Sequence, residues 1–277
     1  MNYYLMELSV YGSTGFIGKN FIEIFPGNKI IPRGERKPKS NNILYFISTT
    51  NNYNIMSDAS IDVNTNLSVL CEVLNYCRSE DIIFNFISSW FVYGNLDELP
   101  AKEKSNCKPR GFYSITKKCA EDLLISFSET FNCRYRIIRL CNVLGIGDEN
   151  ISNKKNVLTW MVNKLKKNEP IELYENGESK RDIMHVKDVC KAINLICTKG
   201  KTNEIYNVGS GQPISIGEFI NTARYSLQSN SKIQYINTPQ TQSKIVNKDF
   251  WMDNSKLKSL GFKNEFTNDM IIEELCR

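Results

Sequence analysis

The stretch Glu7-Leu8-Ser9-Val10-Tyr11-Gly12-Ser13-Thr14-Gly15-Phe16-Ile17-Gly18 decides the fold of this chain. Its first five residues form a short strand-like run, and residues 16–25 repeat their apolar side chains at helical intervals. Three glycines therefore lie where a strand turns into a helix. Glycine lets the backbone turn tightly there and approach a diphosphate, while the helix N-terminus faces the negative charge. The stretch thus predicts a dinucleotide-binding turn, whose expected cofactor contacts are Gly12, Thr14, Gly15, Phe16, Ile17 and Gly18.

Strand and helix patterns alternate along the residues that follow. Near-continuous apolar runs are typical of strands in a parallel sheet that helices cover on both faces. We therefore predict an α/β protein with a Rossmann-type, doubly wound parallel sheet. After Asn142 the pattern changes to a loop rich in Gly, Asp, Asn and Lys (residues 145–155), which predicts a smaller second lobe. The predicted strands are residues 29–31, 42–48, 81–87 and 134–140, and the predicted helices are residues 62–78, 111–131 and 157–167.

The composition narrows the classes of function. The chain has 277 residues, 41% of them hydrophobic and 23% charged, with a formal net charge of +5. Basic residues cluster only at residues 33–39, so we expect no nucleic-acid partner. The sequence has neither an apolar run near the roughly 20 residues of a membrane-spanning helix nor a signal-peptide pattern, so we expect a cytoplasmic protein without a membrane partner. One His and nine Cys without a C-x-x-C pair predict no metal site.

The residues after the second predicted strand bear on the choice of cofactor. An acidic residue at this position would bond the ribose hydroxyls of NAD. Here the strand runs into Pro32-Arg33-Gly34-Glu35-Arg36. Arg33 and Arg36 can hold a 2′-phosphate through charge-assisted hydrogen bonds, which favours NADP(H). Glu35 lies between them and can contact a ribose, which leaves NAD(H) as the alternative.

Tyr113 and Lys117 form the candidate catalytic pair. Their four-residue spacing puts both side chains on one face of the predicted helix. Because an ammonium near a phenol favours the phenolate, we expect Lys117 to lower the pKa of Tyr113 toward neutrality, so that Tyr113 can relay a proton. Ser88-Ser89 end the preceding strand at its carboxyl edge, where open α/β sheets bind ligands.

The chain has the glycine turn, the serine and the Tyr-Lys pair in this order. It therefore resembles the extended short-chain dehydrogenase/reductase family, in its nucleotide-sugar epimerase/dehydratase/reductase branch. The resemblance covers nearly the whole chain and includes Asn66 and the segments 88–94, 139–145, 180–189, 206–211 and 253–257. It implies that residues 1–141 with about 181–209 form the NAD(P)-binding Rossmann domain. It further implies that about 142–180 with 210–277 form a nucleotide-sugar-binding lobe. It also implies a homodimer, which pairs the two helices that begin near Asp62 and Gly111.

The resemblance assigns roles to single residues. By its pattern Tyr113 is the acid/base, Lys117 holds the nicotinamide ribose, and Ser89 hydrogen-bonds the reacting sugar oxygen. His185 is interpreted as structural, because in the family its motif largely fastens the second lobe to the first. The remaining expected contacts are Ser48 for the cofactor and Trp90, Asn142 and Arg181 for the substrate, the last two on its diphosphate.

Two departures from the family pattern narrow the function. Members that eliminate water across C5 and C6 of the sugar carry an Asp-Glu pair directly after the active-site hydroxyl residue, whereas this chain has Trp90-Phe91. We therefore do not expect 4,6-dehydratase activity. The stretch between Arg33 and Asn42 is also too short for the usual extra strand and helix, so we expect a trimmed sheet edge and a trimmed adenine pocket.

Three functions stay open. The first is NADPH-dependent reduction of a nucleotide-linked 4-keto sugar at C4, in nucleotide-sugar biosynthesis for surface polysaccharide, which the basic residues near Arg33 favour. The second is a 4-epimerase that retains NAD and oxidises and re-reduces the same carbon. The third is a non-catalytic dinucleotide-sensing module, against which the intact Ser89, Tyr113 and Lys117 argue.

Overall fold

The computed structural model describes residues 7–149, 151–238 and 249–277. Its strands are β1 (Leu8–Tyr11), β2 (Lys29–Ile30), β3 (Asn42–Tyr45), β4 (Ile83–Ser89), β5 (Arg134–Leu140), β6 (Asn142–Leu144), β7 (Ile171–Tyr174), β8 (Lys180–Arg181), β9 (Ile183–His185), β10 (Glu204–Val208), β11 (Ile214–Ser215) and β12 (Ile233–Ile236). Its helices are α1 (Phe16–Ile24), α2 (Ser60–Val63), α3 (Val69–Leu74), α4 (Phe112–Phe131), α5 (Val157–Lys166), α6 (Val186–Lys199), α7 (Ile216–Ser226), α8 (Ser255–Ser259) and α9 (Asn268–Cys276).

A six-stranded sheet in the order β10-β5-β4-β3-β1-β2 forms the centre of the molecule. All five strand pairs are parallel. The carboxyl ends of the strands therefore lie along one edge of the sheet, and the turns that follow β1, β3, β4 and β5 meet there. The predicted doubly wound α/β fold is confirmed.

Neighbouring residues of the strands pack into hydrophobic clusters on opposite faces of the sheet. On one face Leu44 packs with Phe21 of α1 and Ile193 of α6. On the other face Ile43 packs with Leu124 of α4 and with α3. Because helices cover both faces, the strands are apolar at consecutive positions, which is why the sequence shows runs rather than alternation.

A third hydrophobic cluster lies outside the sheet. There α5, α7 and α9 pack around buried side chains such as Leu165, Ile220 and Ile272. His185 joins this region to the rest, because its Nδ1 accepts a hydrogen bond from the backbone N–H of Lys187 in α6 and its Nε2 lies 2.6 Å from the Glu274 carboxylate in α9. These contacts agree with a structural role for His185. The domain boundaries stay a prediction.

Two elements differ from the sequence prediction. The strand predicted at 42–48 ends at Tyr45, because its neighbour β1 ends at Tyr11. Beyond Tyr45, only the N–H of Phe46 still donates to β1, at the carbonyl oxygen of Tyr11. The helix predicted at 62–78 covers Ser60–Leu74 and contains a π-helical turn at Asn64–Ser68. Residues 31–41 form no strand or helix, so the sheet edge is trimmed as predicted and ends in the two-residue β2.

Candidate active site

A cavity of about 1020 Å³ opens at the carboxyl edge of the sheet. It is large by the standard of ligand pockets, which commonly measure about 300–1,000 Å³. Arg33 and Arg36 do not line it. The cavity brings together all the other predicted site residues, namely Gly12, Thr14, Gly15, Phe16, Ile17, Gly18, Ser48, Ser89, Trp90, Tyr113, Lys117, Asn142 and Arg181.

The glycine turn has the geometry that a diphosphate site requires. Gly12 has φ +75°, and a Cβ there would lie 3.0 Å from the backbone nitrogen of Ile47. A Cβ on Gly18 would lie 2.3 Å from the carbonyl oxygen of Gly12, so only glycine lets α1 pack this closely on the turn. Gly15 precedes α1 without a side-chain cap, which leaves the first-turn N–H groups directed at the cavity end of the helix. The turn therefore fits the diphosphate of a dinucleotide.

Tyr113 and Lys117 lie in the first two turns of α4, and both are buried. Lys117 Nζ donates to the carbonyl oxygen of Ile87 at 2.6 Å and lies 4.1 Å from the centre of the Phe86 ring. Burial lowers the pKa of Lys117 to about 7, although the charge of Glu121 acts in the opposite direction. The Lys117 side chain thus binds the end of β4, two residues before Ser89.

The pKa of Tyr113 corrects one expectation. Burial raises it above the ordinary value and the charge of Asp62 raises it further, while hydrogen bonds with Ser89 and Ser48 lower it. The expectation that Lys117 lowers this pKa toward neutrality is therefore wrong for this arrangement. The reason is that Lys117 is directed at the Ile87 carbonyl and that both groups are buried. At neutral pH the phenol holds its proton and is an acid.

The two aromatic residues after Ser89 differ in position. Trp90 is 3% exposed and stacks on Phe250 with ring centres 4.7 Å apart, so most of it belongs to the core. Phe91 stacks on Trp90 and meets the Tyr113 ring edge-on at 5.9 Å. Phe91, rather than Trp90, is thus the bulky group beside the phenol. The substrate contacts predicted from the sequence did not include Phe91.

The arginines near the second strand lie in a different setting. Arg33 is exposed, and the Nε of Arg36 donates to the carboxylate of Glu72 at 2.6 Å. The Glu35 carboxylate accepts the backbone N–H groups of Arg36 and Lys37 at 2.7 and 2.8 Å. Glu35 therefore holds its own loop, and Arg36 is held by an ion pair that the sequence did not indicate.

Asn142 and Arg181 line the cavity from β6 and β8. Asn142 Nδ2 donates to the carbonyl oxygen of Asp182 at 2.9 Å, which fixes the amide beside β9. Burial lowers the pKa of Arg181 to about 10, although the charges of Asp249 and Glu175 act to raise this pKa. The guanidinium therefore stays charged at neutral pH and is suited to an anionic group.

Two asparagines that received no site role from the sequence organise this site. Asn52 Oδ1 accepts the N–H of Ser114 at 3.1 Å and its hydroxyl at 3.0 Å, and so fixes the start of α4 beside Tyr113. Asn66, in the π-helical turn, binds both Ser48 and Thr116 of α4. The resemblance to the family included Asn66. No local pattern points to Asn52, because it lies 62 residues from its partner Ser114.

Two further observations concern the part of the chain that the structure describes. It holds no cluster of three or more His, Cys, Asp or Glu side chains suited to a metal ion. Among its helices, none has the length and apolar character to cross a membrane.

The chain is similar to known proteins in sequence and in fold. The family model described as "NAD dependent epimerase/dehydratase family" matches residues 39–209. A dTDP-4-dehydro-6-deoxyglucose reductase from Escherichia coli is 29% identical over 156 residues, which are 56% of this chain and 48% of the relative.

Two solved structures share the fold over nearly the whole chain. RMD from Pseudomonas aeruginosa, complexed with NADPH, superposes with a TM-score of 0.84 at 22% identity and covers 98% of this chain and 97% of its own. UDP-glucose 4-epimerase from Thermotoga maritima, with UDP-glucose, gives 0.86 at 19% identity with the same coverage. At such identities the likeness shows the fold alone.

Proposed function

The chain belongs to the NAD dependent epimerase/dehydratase family, and we propose that within it the protein reduces a nucleotide-linked 4-keto sugar at C4 with NADPH, for the synthesis of a surface polysaccharide. The observation that carries the proposal is the apolar pair Trp90-Phe91 directly after Ser89, with Phe91 edge-on to Tyr113. This position offers no carboxylate for dehydration. A bulky ring beside the phenol also favours one fixed sugar pose, whereas an epimerase must let the keto sugar turn over.

The side chains of the site supply what a reduction needs from the protein. A bound nicotinamide would supply the hydride that adds to the carbonyl carbon. The Tyr113 phenol, protonated because burial raises its pKa, gives its proton to the carbonyl oxygen as that oxygen becomes a hydroxyl, and recovers a proton from solvent. Ser89 lines the same cavity and its hydroxyl lowers the pKa of Tyr113, so it is suited to orient the same oxygen. The buried Lys117 fixes the end of β4 and lines the same cavity, where it would hold the nicotinamide ribose.

The cofactor preference rests on the loop after β2. The Glu35 carboxylate accepts backbone N–H groups of that loop, so Glu35 does not present the free acidic side chain that would bond a ribose. Arg33 is exposed on this loop, which follows the second strand as the ribose-binding segment of a dinucleotide fold does, and Arg36 lies three residues along the chain. This combination supports NADP(H) over NAD(H), with Arg33 as the first contact.

A 4-epimerase with a retained NAD is the second candidate, because the cavity of about 1020 Å³ leaves room for a ring to change pose. The experiment that separates the two gives the purified protein NADPH and a nucleotide-linked 4-keto-6-deoxyhexose. We expect one NADPH consumed per sugar and a product with a single C4 configuration. Interconversion of two finished C4 epimers without added cofactor and without net NADPH loss would overturn the proposal and establish the epimerase.

A homodimer is part of the proposal. The helices expected to pair with a second copy carry exposed apolar side chains, Val63 on α2 and Ile115 and Leu123 on α4, at 40%, 50% and 38% exposure. Sedimentation equilibrium at micromolar concentration should give twice the mass of one chain. The variant Ile115→Glu with Leu123→Glu should give the mass of one chain. A monomeric wild type contradicts this part of the proposal.

A further inference from the structure

The amide nitrogen of Asn52 is a hydrogen-bond donor without an acceptor in the described part of the chain. Asn52 is 3% exposed and lies in the loop that follows β3. Its Oδ1 accepts two hydrogen bonds, from the backbone N–H and the hydroxyl of Ser114. Its Nδ2 donates to none of the described residues. A primary amide carries two N–H donors, and leaving both unused in a buried side chain lowers stability.

The orientation of this amide is fixed by its partner. A backbone N–H can only donate, so the oxygen of Asn52, and not the nitrogen, faces Ser114. Gly111 makes room for that oxygen, because a Cβ there would lie 2.5 Å from Asn52 Oδ1. Gly111 is also the N-cap residue of α4 and has no side chain to cap the helix. Asn52 therefore supplies the cap of α4 from another loop.

The cap explains only half of the amide. A carboxylate at the same place would accept the same two hydrogen bonds, and its charge would be favourable at a helix N-terminus. Asn52 lines the cavity. Its Nδ2 is not among the fully enclosed polar atoms that lack a partner, so the small exposed part of the residue includes Nδ2. The nitrogen is therefore accessible to a molecule that occupies the cavity.

The position of Asn52 along α4 indicates which part of that molecule it meets. Asn52 binds the residue directly after Tyr113, whose phenol is proposed to reach the reacting oxygen of the sugar. Lys117, which is expected to hold the nicotinamide ribose, lies one turn further along the helix. Asn52 is thus on the sugar side of Tyr113. Ring hydroxyls of a sugar are oxygens that accept hydrogen bonds from an amide N–H.

We propose that Asn52 binds the sugar: its Nδ2 donates a hydrogen bond to a ring hydroxyl of the bound nucleotide sugar, while its Oδ1 holds the start of α4. This inference rests on the proposed function, from which it takes the class of substrate. One amide thereby fixes the sugar relative to the helical turn that carries Tyr113. Because the hydroxyl takes no part in the reaction, the bond is made equally in the ground state and the transition state.

The first test follows the amide itself by NMR. The protein is labelled with ¹⁵N-asparagine, and the side-chain NH₂ signals of Asn52 are identified by their loss in Asn52→Asp. The nucleotide-linked 4-keto-6-deoxyhexose, added without NADPH, should shift these signals. NADPH alone and the free nucleoside diphosphate should leave them in place.

The second test separates the donor from the cap. Asn52→Asp removes the donor and keeps the oxygen, so the KM for the nucleotide sugar should rise about two- to tenfold, with kcat and the KM for NADPH unchanged. The inhibition constant of the nucleoside diphosphate should stay the same, which excludes repulsion of the diphosphate by the new charge. Asn52→Ala should raise this KM as well and should also unfold at a lower temperature, because it loses the cap.

The matched control lies outside the cavity. Asn168 Oδ1 likewise accepts a backbone N–H, from Asn230 at 2.8 Å, and a serine hydroxyl, from Ser229 at 3.2 Å, but Asn168 is exposed. Asn168→Asp should leave the KM for the nucleotide sugar unchanged. If Asn52→Asp folds poorly, Asn52→Ser identifies the NMR signals instead.

Two results overturn the inference. One is a nucleotide sugar that shifts other asparagine signals, and so binds, without shifting those of Asn52. The other is a shift with NADPH alone, which would assign the amide to the cofactor. If no 4-keto sugar causes consumption of NADPH while the nucleotide sugar still shifts the Asn52 signals, the proposed reduction fails and the role of Asn52 stands.

Discussion

The two ends of the proposed cofactor and substrate site are built in different ways. At the catalytic end, Tyr113 and Lys117 are 8% and 2% exposed in the 20-residue helix α4, which packs on β4 and β5. Those two strands pair over seven residues. At the other end, Arg33 and Glu35 are exposed on residues 31–41, which form no strand or helix beside the two-residue β2. Packing fixes the first end, and local hydrogen bonds and ion pairs fix the second. Substitutions should therefore have larger effects at the first end.

The largest effect is expected at Tyr113. Tyr113→Phe removes the proton donor but keeps the ring that packs on Phe91, so turnover should fall about 10²–10⁴-fold while NADPH affinity changes by less than a few-fold. Steady-state rates and a fluorescence titration of NADPH measure the two quantities. Phe91→Leu is a control for the loss of ring packing without loss of the hydroxyl. A Tyr113→Phe rate above about a tenth of wild type contradicts the proton-donor role.

The buried ion pair beneath the catalytic pair should dominate stability. Glu121 Oε2 lies 2.7 Å from Arg139 Nη2, with both side chains 2% exposed or less, and Glu121 Oε1 also accepts from the Ser88 hydroxyl at 2.6 Å. Glu121→Ala leaves the Arg139 charge buried and unpaired, which should lower the free energy of unfolding by about 3–5 kcal/mol. Urea unfolding measures the change.

The matched control lies on the same helix. Lys118 and Asp122 form an i,i+4 pair in which the Asp122 side chain is 60% exposed. Asp122→Ala should lower the free energy of unfolding by less than about 1 kcal/mol. Equal effects of Glu121→Ala and Asp122→Ala would show that burial does not set the stability of the catalytic end.

The sequence predicted the catalytic end better than the cofactor loop, for physical reasons. Strand runs and the four-residue spacing of Tyr113 and Lys117 are local patterns, and parallel strands bring their carboxyl ends together whatever the loops do. The link of Asn52 to Ser114 and the pairing of Arg36 with Glu72 join residues 62 and 36 positions apart, so no local pattern contains them. The direction of the Tyr113 pKa depends on burial, which spacing alone does not give.

At the exposed end, the double variant Arg33→Ala with Arg36→Ala should lose the preference for NADP(H). A charge-assisted hydrogen bond to a 2′-phosphate contributes about 1.5–3 kcal/mol, so NADPH affinity should fall about tenfold or more while NADH affinity stays the same. Lys37→Ala, an exposed cation on the same loop, is the control and should change neither. Tighter binding of NADH than of NADPH by the wild type would contradict the assignment and favour the epimerase.

The smallest effect should come from releasing Arg36. In the wild type its guanidinium is held by Glu72, whose side chain is 54% exposed, so Glu72→Gln should change the free energy of unfolding by less than about 1 kcal/mol. The freed guanidinium should then reach a 2′-phosphate more easily, and NADPH should bind a few-fold more tightly while NADH binding stays constant. Combining Glu72→Gln with Arg36→Ala should abolish this gain, because the two residues act as a coupled pair. An NADPH affinity that Glu72→Gln leaves unchanged would mean that Arg36 belongs to the loop alone, and that Arg33 is the arginine on which the cofactor preference depends.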